Sequence, residues 1–150
     1  MCSLLTGKFK PKKSYSELIM KILFLCTGNA YRSPLAEALL KKLRPDLTVD
    51  SAGLQVVIPI AKKVKDYLIE HDAADFLKAF PESTEKKSLR TFDLIVAMES
   101  KHKQAVLKNC PDCEKRIVVW NIKDPYWEEE KAESIFNQIE NRVKELAESL

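Results

Sequence analysis

Glycine is scarce, at three in 150 residues. No apolar stretch approaches the roughly 18 consecutive residues that a bilayer-spanning helix needs. The longest runs, such as 22–25 and 56–60, are short, so no membrane span is expected. The basic start (Lys8, Lys10, Lys12, Lys13) has no apolar patch beyond Leu4-Leu5, which is too little for the central region of a secretory signal. Neither sign of charge dominates: 25 basic and 22 acidic side chains leave a net charge of +3. Mixed along the chain, they build no nucleic-acid field and mildly favour anionic ligands. No specific nucleic-acid partner is expected, and the early lysines read as hydrated. Internal repeats and low-complexity tracts are also missing.

Cysteine is limited to Cys2, Cys26, Cys110 and Cys113. In a chain long enough to bury a core this is no disulfide framework, so a reducing compartment, the cytoplasm, is expected. Cys110 and Cys113 then read as two thiols in a surface turn. The two histidines, His71 and His102, make no zinc-ligand spacing with Cys2 or with that pair, so no metal or other cofactor is expected. Both histidines read as solvated helix residues.

What is present fits one ordinary domain, with 45% hydrophobic and 31% charged residues. Residues 1–19 lack clean periodicity and carry Pro11 between lysines, which marks them as an N-terminal appendage to a domain over 20–150. Within that domain, short apolar runs at 21–26, 47–50, 94–98 and 116–120 read as strands, the β-branched ones covered on both faces. Helical patterns occupy 34–43, 61–71, 101–108 and 131–149. Strand followed by helix, about four times over, implies a three-layer α/β/α domain with a four-stranded parallel sheet and right-handed crossovers. Residues 72–90 lack a sustained period and read as a helix followed by a loop around Pro81.

At the carboxyl end of the first strand comes Cys26-Thr27-Gly28-Asn29-Ala30-Tyr31-Arg32-Ser33-Pro34, and a leucine-striped helix follows at once. Ligands of open parallel sheets bind beyond the carboxyl ends of the strands. A cysteine and an arginine separated by five residues can close a loop whose inward N–H groups make an anion cradle at a helix N-terminus. Thr27, Gly28, Asn29, Ala30, Tyr31 and Arg32 would then surround a phosphate, with the planar Arg32 fork holding two oxygens. The same positive charge favours the Cys26 thiolate, the reactive form of a cysteine nucleophile. Gly28 is expected to supply the unusual backbone angles of such a loop, and Asn29 tolerates a left-handed conformation. Ser33 is expected to cap the helix, with Pro34 in its first turn. The bland alternative is an inert thiol followed by an unrelated arginine. The strand before the loop and the helix after it favour the catalytic reading.

Cleaving a phosphate monoester requires a proton for the leaving oxygen. Asp124 is the expected acid, because Asp124-Pro125-Tyr126-Trp127 follows the last strand at the same sheet edge as Cys26. Tyr126 and Trp127 would form an apolar wall for the substrate. Each of these residues also has a plain reading, as a turn before proline or as packing against the last helix.

The run from Ile22 to Ala38 closely resembles the phosphate loop of low-molecular-weight protein tyrosine phosphatases. Ser51-Ala52-Gly53, Phe92-Asp93-Leu94-Ile95-Val96-Ala97-Met98 and Asp124-Pro125-Tyr126 are similar to later landmarks of that family, in the same order. The resemblance implies a phosphotyrosine phosphatase I-like fold and a cysteine-dependent phosphatase acting on a phosphorylated protein or a small phosphate ester. Cys26 would be the nucleophile, Arg32 the phosphate ligand and Asp124 the acid. Ser33 would assist the thiolate, while Asn29 and Ser51 hold the loop's shape. Three departures stand out. Tyr31 occupies the place of a second loop cysteine found in many members. An aromatic residue expected soon after Gly53 is missing from Leu54-Gln55-Val56-Val57-Ile58. A histidine and arginine segment before Phe92 is also missing, with Phe80-Pro81-Glu82 near its place. Two alternatives remain: an arsenate reductase relaying oxidation through Cys110 or Cys113, and a phosphate-binding module with weak turnover.

Overall fold

The computed structural model describes residues 19–150, so the proposed appendage falls, but for Ile19, outside the described residues. Eight main elements follow in order: β1 (Lys21–Cys26), α1 (Arg32–Leu43), β2 (Thr48–Gly53), α2 (Lys62–Glu70), β3 (Leu94–Ala97), α3 (Ser100–Asn109), β4 (Ile117–Val119) and α4 (Ala132–Ser149). The four strands pair in parallel in the order β2-β1-β3-β4. This is the expected three-layer α/β/α architecture. Among the described residues, no helix is long and apolar enough to cross a membrane.

Strand periodicity assigns the two faces of β1. Ile22 and Phe24 join Leu35 and Leu39 of α1, Val64 and Leu68 of α2, and Phe136, Ile139 and Val143 of α4 in one core. Leu23 and Leu25 turn the other way, into a second core with Ile95, Val106 and Ile117. All four β1 residues are fully buried. At about 1.5–3 kcal/mol for each large side chain removed from water, this double burial makes β1 the anchor of the sheet. It also places Cys26, its last residue, firmly. Helix α1 stops at Arg44, whose successor Pro45 disfavours helical geometry in the residue before it.

Three expectations need correction here. Strand β2 continues to Gly53, three residues past its predicted end, because Ser51, Ala52 and Gly53 pair with Phe24, Leu25 and Cys26; the small residues concealed that pairing from a hydrophobicity pattern. Residues 72–90 hold no α-helix, only short 3-10 turns at Ala74–Phe76, Thr84–Lys86 and Leu89–Thr91. Cys110 and Cys113 are neither exposed nor thiols: both are fully buried in the second core and joined as a disulfide. The chain there is a 3-10 turn, Pro111–Arg116, in which side chains three apart eclipse one another, and the two Cα atoms stand 5.4 Å apart.

Candidate active site

The loop from Cys26 to Arg32 leaves the carboxyl end of β1 and enters α1 with Tyr31 at the N-cap. It leans directly on the end of β2. Leu54 N–H donates to Cys26 O at 3.2 Å and Gln55 N–H to Thr27 O at 2.8 Å. A Cβ on Gly53 would lie 2.6 Å from Asn29 N and 2.7 Å from Gly28 C, so the close approach of β2 to the loop demands glycine there. Gly28 does not play the part expected of it. Its φ falls outside the left-handed region, and a Cβ there would make only ordinary contacts, 3.8 Å from Gln55 O and 4.0 Å from Ala30 Cβ, whereas Asn29 takes the left-handed conformation, with φ 53°.

Cys26 is 2% exposed and is the free cysteine among the described residues. Its Sγ lies 2.9 Å from Ser33 Oγ and receives the Asn29 N–H at 3.3 Å. Ser33 is therefore not the helix cap. Helix α1 begins one residue earlier, without a side-chain cap, and the Ser33 hydroxyl is committed to the sulfur. Beneath the loop, Asn29 Nδ2 donates to Ser33 Oγ (2.8 Å) and Ser51 Oγ (2.9 Å), and Ser51 Oγ donates to Glu37 at 2.5 Å.

Arg32 is 1% exposed, with its guanidinium held on three sides. Nη1 bonds Glu99 and donates to Ile122 O at 2.7 Å; Nη2 reaches Thr27 Oγ1 and Asp124 Oδ2, each at 3.4 Å. Nε is buried with no hydrogen-bond partner among the described residues. An unsatisfied buried cationic donor is costly, and beside a thiol it fits a site that receives an anion. Burial works against the Glu99 carboxylate, but the bond to Arg32 and its charge prevail and hold its pKa below the usual value.

His102 corrects another expectation. It is fully buried, not solvated. Its Nδ1 accepts the Glu99 N–H at 3.0 Å, so the proton sits on Nε2 and is donated to Thr27 Oγ1, 3.0 Å away. Burial, reinforced by the Arg32 charge, pushes its pKa down to about 4. The ring is neutral at pH 7 and buttresses the loop as a hydrogen-bond donor. His71 is half-buried, stacked on the Tyr67 ring with centroids 4.0 Å apart.

Asp124 lies on the segment after β4, and its Oδ1 accepts the Tyr126 N–H at 3.0 Å across Pro125, a local turn that aims the carboxylate. A cleft of about 420 Å³ has Cys26, Thr27, Gly28, Ala30, Tyr31 and Arg32 on its lining together with Asp124, Tyr126 and Trp127. Val57 and Ile58 line it too, in the stretch where the expected aromatic residue is missing. Tyr31 OH donates to Glu129 at 3.1 Å and so ties the loop to the segment carrying Asp124. A larger open groove of about 740 Å³ shares no lining residue with this cleft. Among the described residues, no group of three or more His, Cys, Asp or Glu side chains is arranged to hold a metal.

Thus Cys26, Arg32 and Asp124 come together around one cleft, with Asn29, Ser33 and Ser51 behind the sulfur. Sequence reasoning missed Glu99, His102 and Lys78, whose Nζ donates to Asn29 Oδ1 at 3.1 Å. Glu99 and His102 form a reciprocal capping box at the start of α3, but without the Ser/Thr and Glu/Gln of the usual signature the pattern carried little signal. Lys78 carried none, being a lysine in a segment without periodicity.

Comparison with known proteins agrees with this geometry. The family model described as "Low molecular weight phosphotyrosine protein phosphatase" matches residues 21–150. The chain is 33% identical over 146 residues to the low molecular weight protein-tyrosine-phosphatase Wzb of Salmonella typhi, covering 87% of this chain and 93% of that one. It is 32% identical over 139 residues to Etp of Escherichia coli K12, covering 86% and 93%. Among solved structures, Vibrio vulnificus Wzb in complex with benzylphosphonate superposes with TM-score 0.78 at 27% identity, covering 88% of this chain and 99% of that chain. The YwlE arginine phosphatase from Geobacillus stearothermophilus superposes with TM-score 0.76 at 26% identity, covering 87% and 92%. The phosphate-loop geometry, the parallel sheet and a family match spanning nearly the whole described chain lead to one conclusion: this protein belongs to the low molecular weight phosphotyrosine protein phosphatase family.

Proposed function

We propose that the protein hydrolyses aryl phosphate monoesters, phosphotyrosine on a protein or a small aryl phosphate, through a phosphorylated Cys26. The observation that carries this reading is the cleft in which Cys26 and the buried Arg32 meet the Asp124 carboxylate. Arg32 and the loop N–H groups bind the phosphoryl oxygens. Cys26 Sγ attacks phosphorus, the bond to the leaving oxygen breaks, and Asp124 delivers the proton that oxygen takes up. Water then attacks the cysteinyl phosphate and Asp124 accepts its proton, releasing inorganic phosphate and the thiolate. Tyr126, Trp127, Val57 and Ile58 offer the leaving group apolar walls, which suit an aromatic ring.

The arsenate reductase reading lacks a relay. Cys110 and Cys113 precede β4, at the amino end of the sheet, while Cys26 closes β1 at the carboxyl end. The cytoplasm is our proposed location, because the mechanism requires Cys26 reduced; the Cys110–Cys113 disulfide, which a reducing compartment would otherwise open, is fully buried and out of reach of thiol exchange. A phosphate-release screen over phosphotyrosine peptides, phosphoarginine peptides and small esters tests class and preference together. Turnover of the aryl esters is expected, abolished in Cys26→Ser and unaffected by chelator. Undiminished release by Cys26→Ser would overturn the mechanism.

A further inference from the structure

We infer that Lys78, outside the phosphate loop, sets together with the Glu82 N–H the direction of a hydrogen-bond chain that ends on Cys26 and holds its sulfur as an acceptor. The inference rests on Cys26 being the nucleophile. The Lys78 side chain is only 8% exposed. Its Nζ donates to Ser51 O (2.7 Å), Ser51 Oγ (3.1 Å) and Asn29 Oδ1 (3.1 Å), and pairs with Glu82 at 2.7 Å. An ammonium can only donate. A second obligate donor, the Glu82 N–H, reaches the same Asn29 atom at 2.8 Å. Two donors on one atom identify it as the carboxamide oxygen, so Nδ2 must face Ser33 and Ser51 and give a proton to each.

The consequence propagates through the two serines. Ser51 Oγ, accepting from Asn29 and Lys78, sends its own proton to Glu37 Oε1. Ser33 Oγ, accepting from Asn29, has one proton to place, and Cys26 Sγ at 2.9 Å is nearer than Ala52 O at 3.4 Å. Ser33 therefore donates to the sulfur. A donor aimed at sulfur favours thiolate over thiol, and the Asn29 N–H adds a second.

Orientation, rather than bare charge, is the means by which Lys78 acts. Around it lie Glu82, Glu37 at 3.8 Å and Asp50 at 3.7 Å. Lys41 pairs with Glu37, and Lys87 with Asp50 and Glu82. Three cations thus meet three carboxylates, so the cluster carries no net charge; replacing Lys78 unbalances it by one, which the uncharged donor in Lys78→Gln separates from orientation. The ionisable groups on the Cys26 side are Arg32, Asp124, Lys101, Tyr31 and Tyr126 on the cleft, with Glu99 and His102 behind Arg32 and Thr27. None of these is altered by replacing Lys78.

The test reads the thiolate directly and needs no turnover: the rate of Cys26 alkylation by iodoacetamide against pH, with the adduct located by mass spectrometry. Lys78→Met leaves the Glu82 N–H as the remaining donor on Asn29 Oδ1 and is expected to alkylate about threefold more slowly at neutral pH, part of the effect of losing a well-placed hydrogen bond to a charged group. Ser33→Ala removes the donor itself and is expected to lose about tenfold, and Lys78→Met in the Ser33→Ala background adds nothing further. Lys78→Gln keeps a donor without the charge and is expected to react close to the wild-type rate. It carries the comparison if Lys78→Met fails to fold. Wild-type alkylation in Lys78→Met, additive losses in the double variant, or a loss in Lys78→Gln as large as in Lys78→Met would each overturn the inference. Failure of the nucleophile assignment itself would show separately, as phosphate release by Cys26→Ser.

Discussion

On the underside of the phosphate loop, Asn29, Ser33, Ser51 and Glu37 are at most 2% exposed, and the Asn29 carboxamide has all its donors and its acceptor engaged. At the rim of the same cleft, Tyr126 is 48% and Trp127 79% exposed. Asp124 is held there by one local turn, by Arg32 Nη2 at 3.4 Å and, at a distance, by the Tyr31–Glu129 bond. A buried, fully paired polar network admits one geometry, because every unmade bond costs its full desolvation. A solvated segment can shift to suit its substrate. The nucleophile and the phosphate ligand are therefore placed rigidly, while the acid and the aromatic wall are placed by fewer restraints on a more solvated segment.

The largest effect that separates the two regions is expected at the rim's one chemical group. Asp124→Asn keeps the shape of its side chain and removes the transferable proton. Turnover of esters with poor leaving groups should fall about 10²–10⁴-fold, good leaving groups should be spared, and the basic limb of the kcat/KM profile should flatten. An unchanged profile with unchanged leaving-group dependence would place the acid elsewhere. Beneath the cleft, Arg32→Lys replaces a planar fork by a point charge and leaves Glu99 and Ile122 O without their partner. A loss of about 10²–10³-fold in kcat, for good and poor leaving groups alike, is expected. Steady-state kinetics on two esters that differ only in leaving group distinguishes these patterns.

The third effect is on stability and belongs to the buried side. His102 titrates near 4 when folded and near 6.5 when unfolded, so between those values the unfolded chain binds more protons. Stability then rises with pH through that window and is lost as pH falls. Thermal melts should show Tm dropping by several degrees from pH 7 to pH 4, and the slope should flatten in His102→Asn. The smallest effect is expected at the outer wall. Trp127→Ala removes a largely solvated ring, so Tm should stay within about 1–2 °C of wild type, as for surface substitutions generally. KM for aryl esters should rise with kcat little changed. A large drop in Tm would show that the rim is built into the core after all.

Much of this was legible in the residue order. Double-sided burial of residues 22–25 forces a central parallel strand, the leucines of α1 force a helix on one face, and a cysteine and an arginine with five residues between them, set where strand meets helix, force an anion-binding turn. Those are local patterns, set by periodicities of two and 3.6 residues and by the chemistry of a short loop. The β2 extension through Ser51-Ala52-Gly53 was not legible, since small residues carry no periodic signal and Gly53 is required only because a Cβ there would stand 2.6 Å from Asn29 N of the phosphate loop. Cys110 and Cys113 read as exposed thiols until a 3-10 turn folded both into the second core. Glu99 and His102 meet Arg32 and Thr27 across 67 and 75 residues of chain, and Lys78 meets Asn29 across 49. The sequence by itself determined the strands, the helices and the reactive loop, because these follow from neighbouring residues. Only the tertiary structure decided which distant side chains hold the loop's hydrogen bonds in one direction, because a donor and its acceptor far apart in sequence are matched by packing alone.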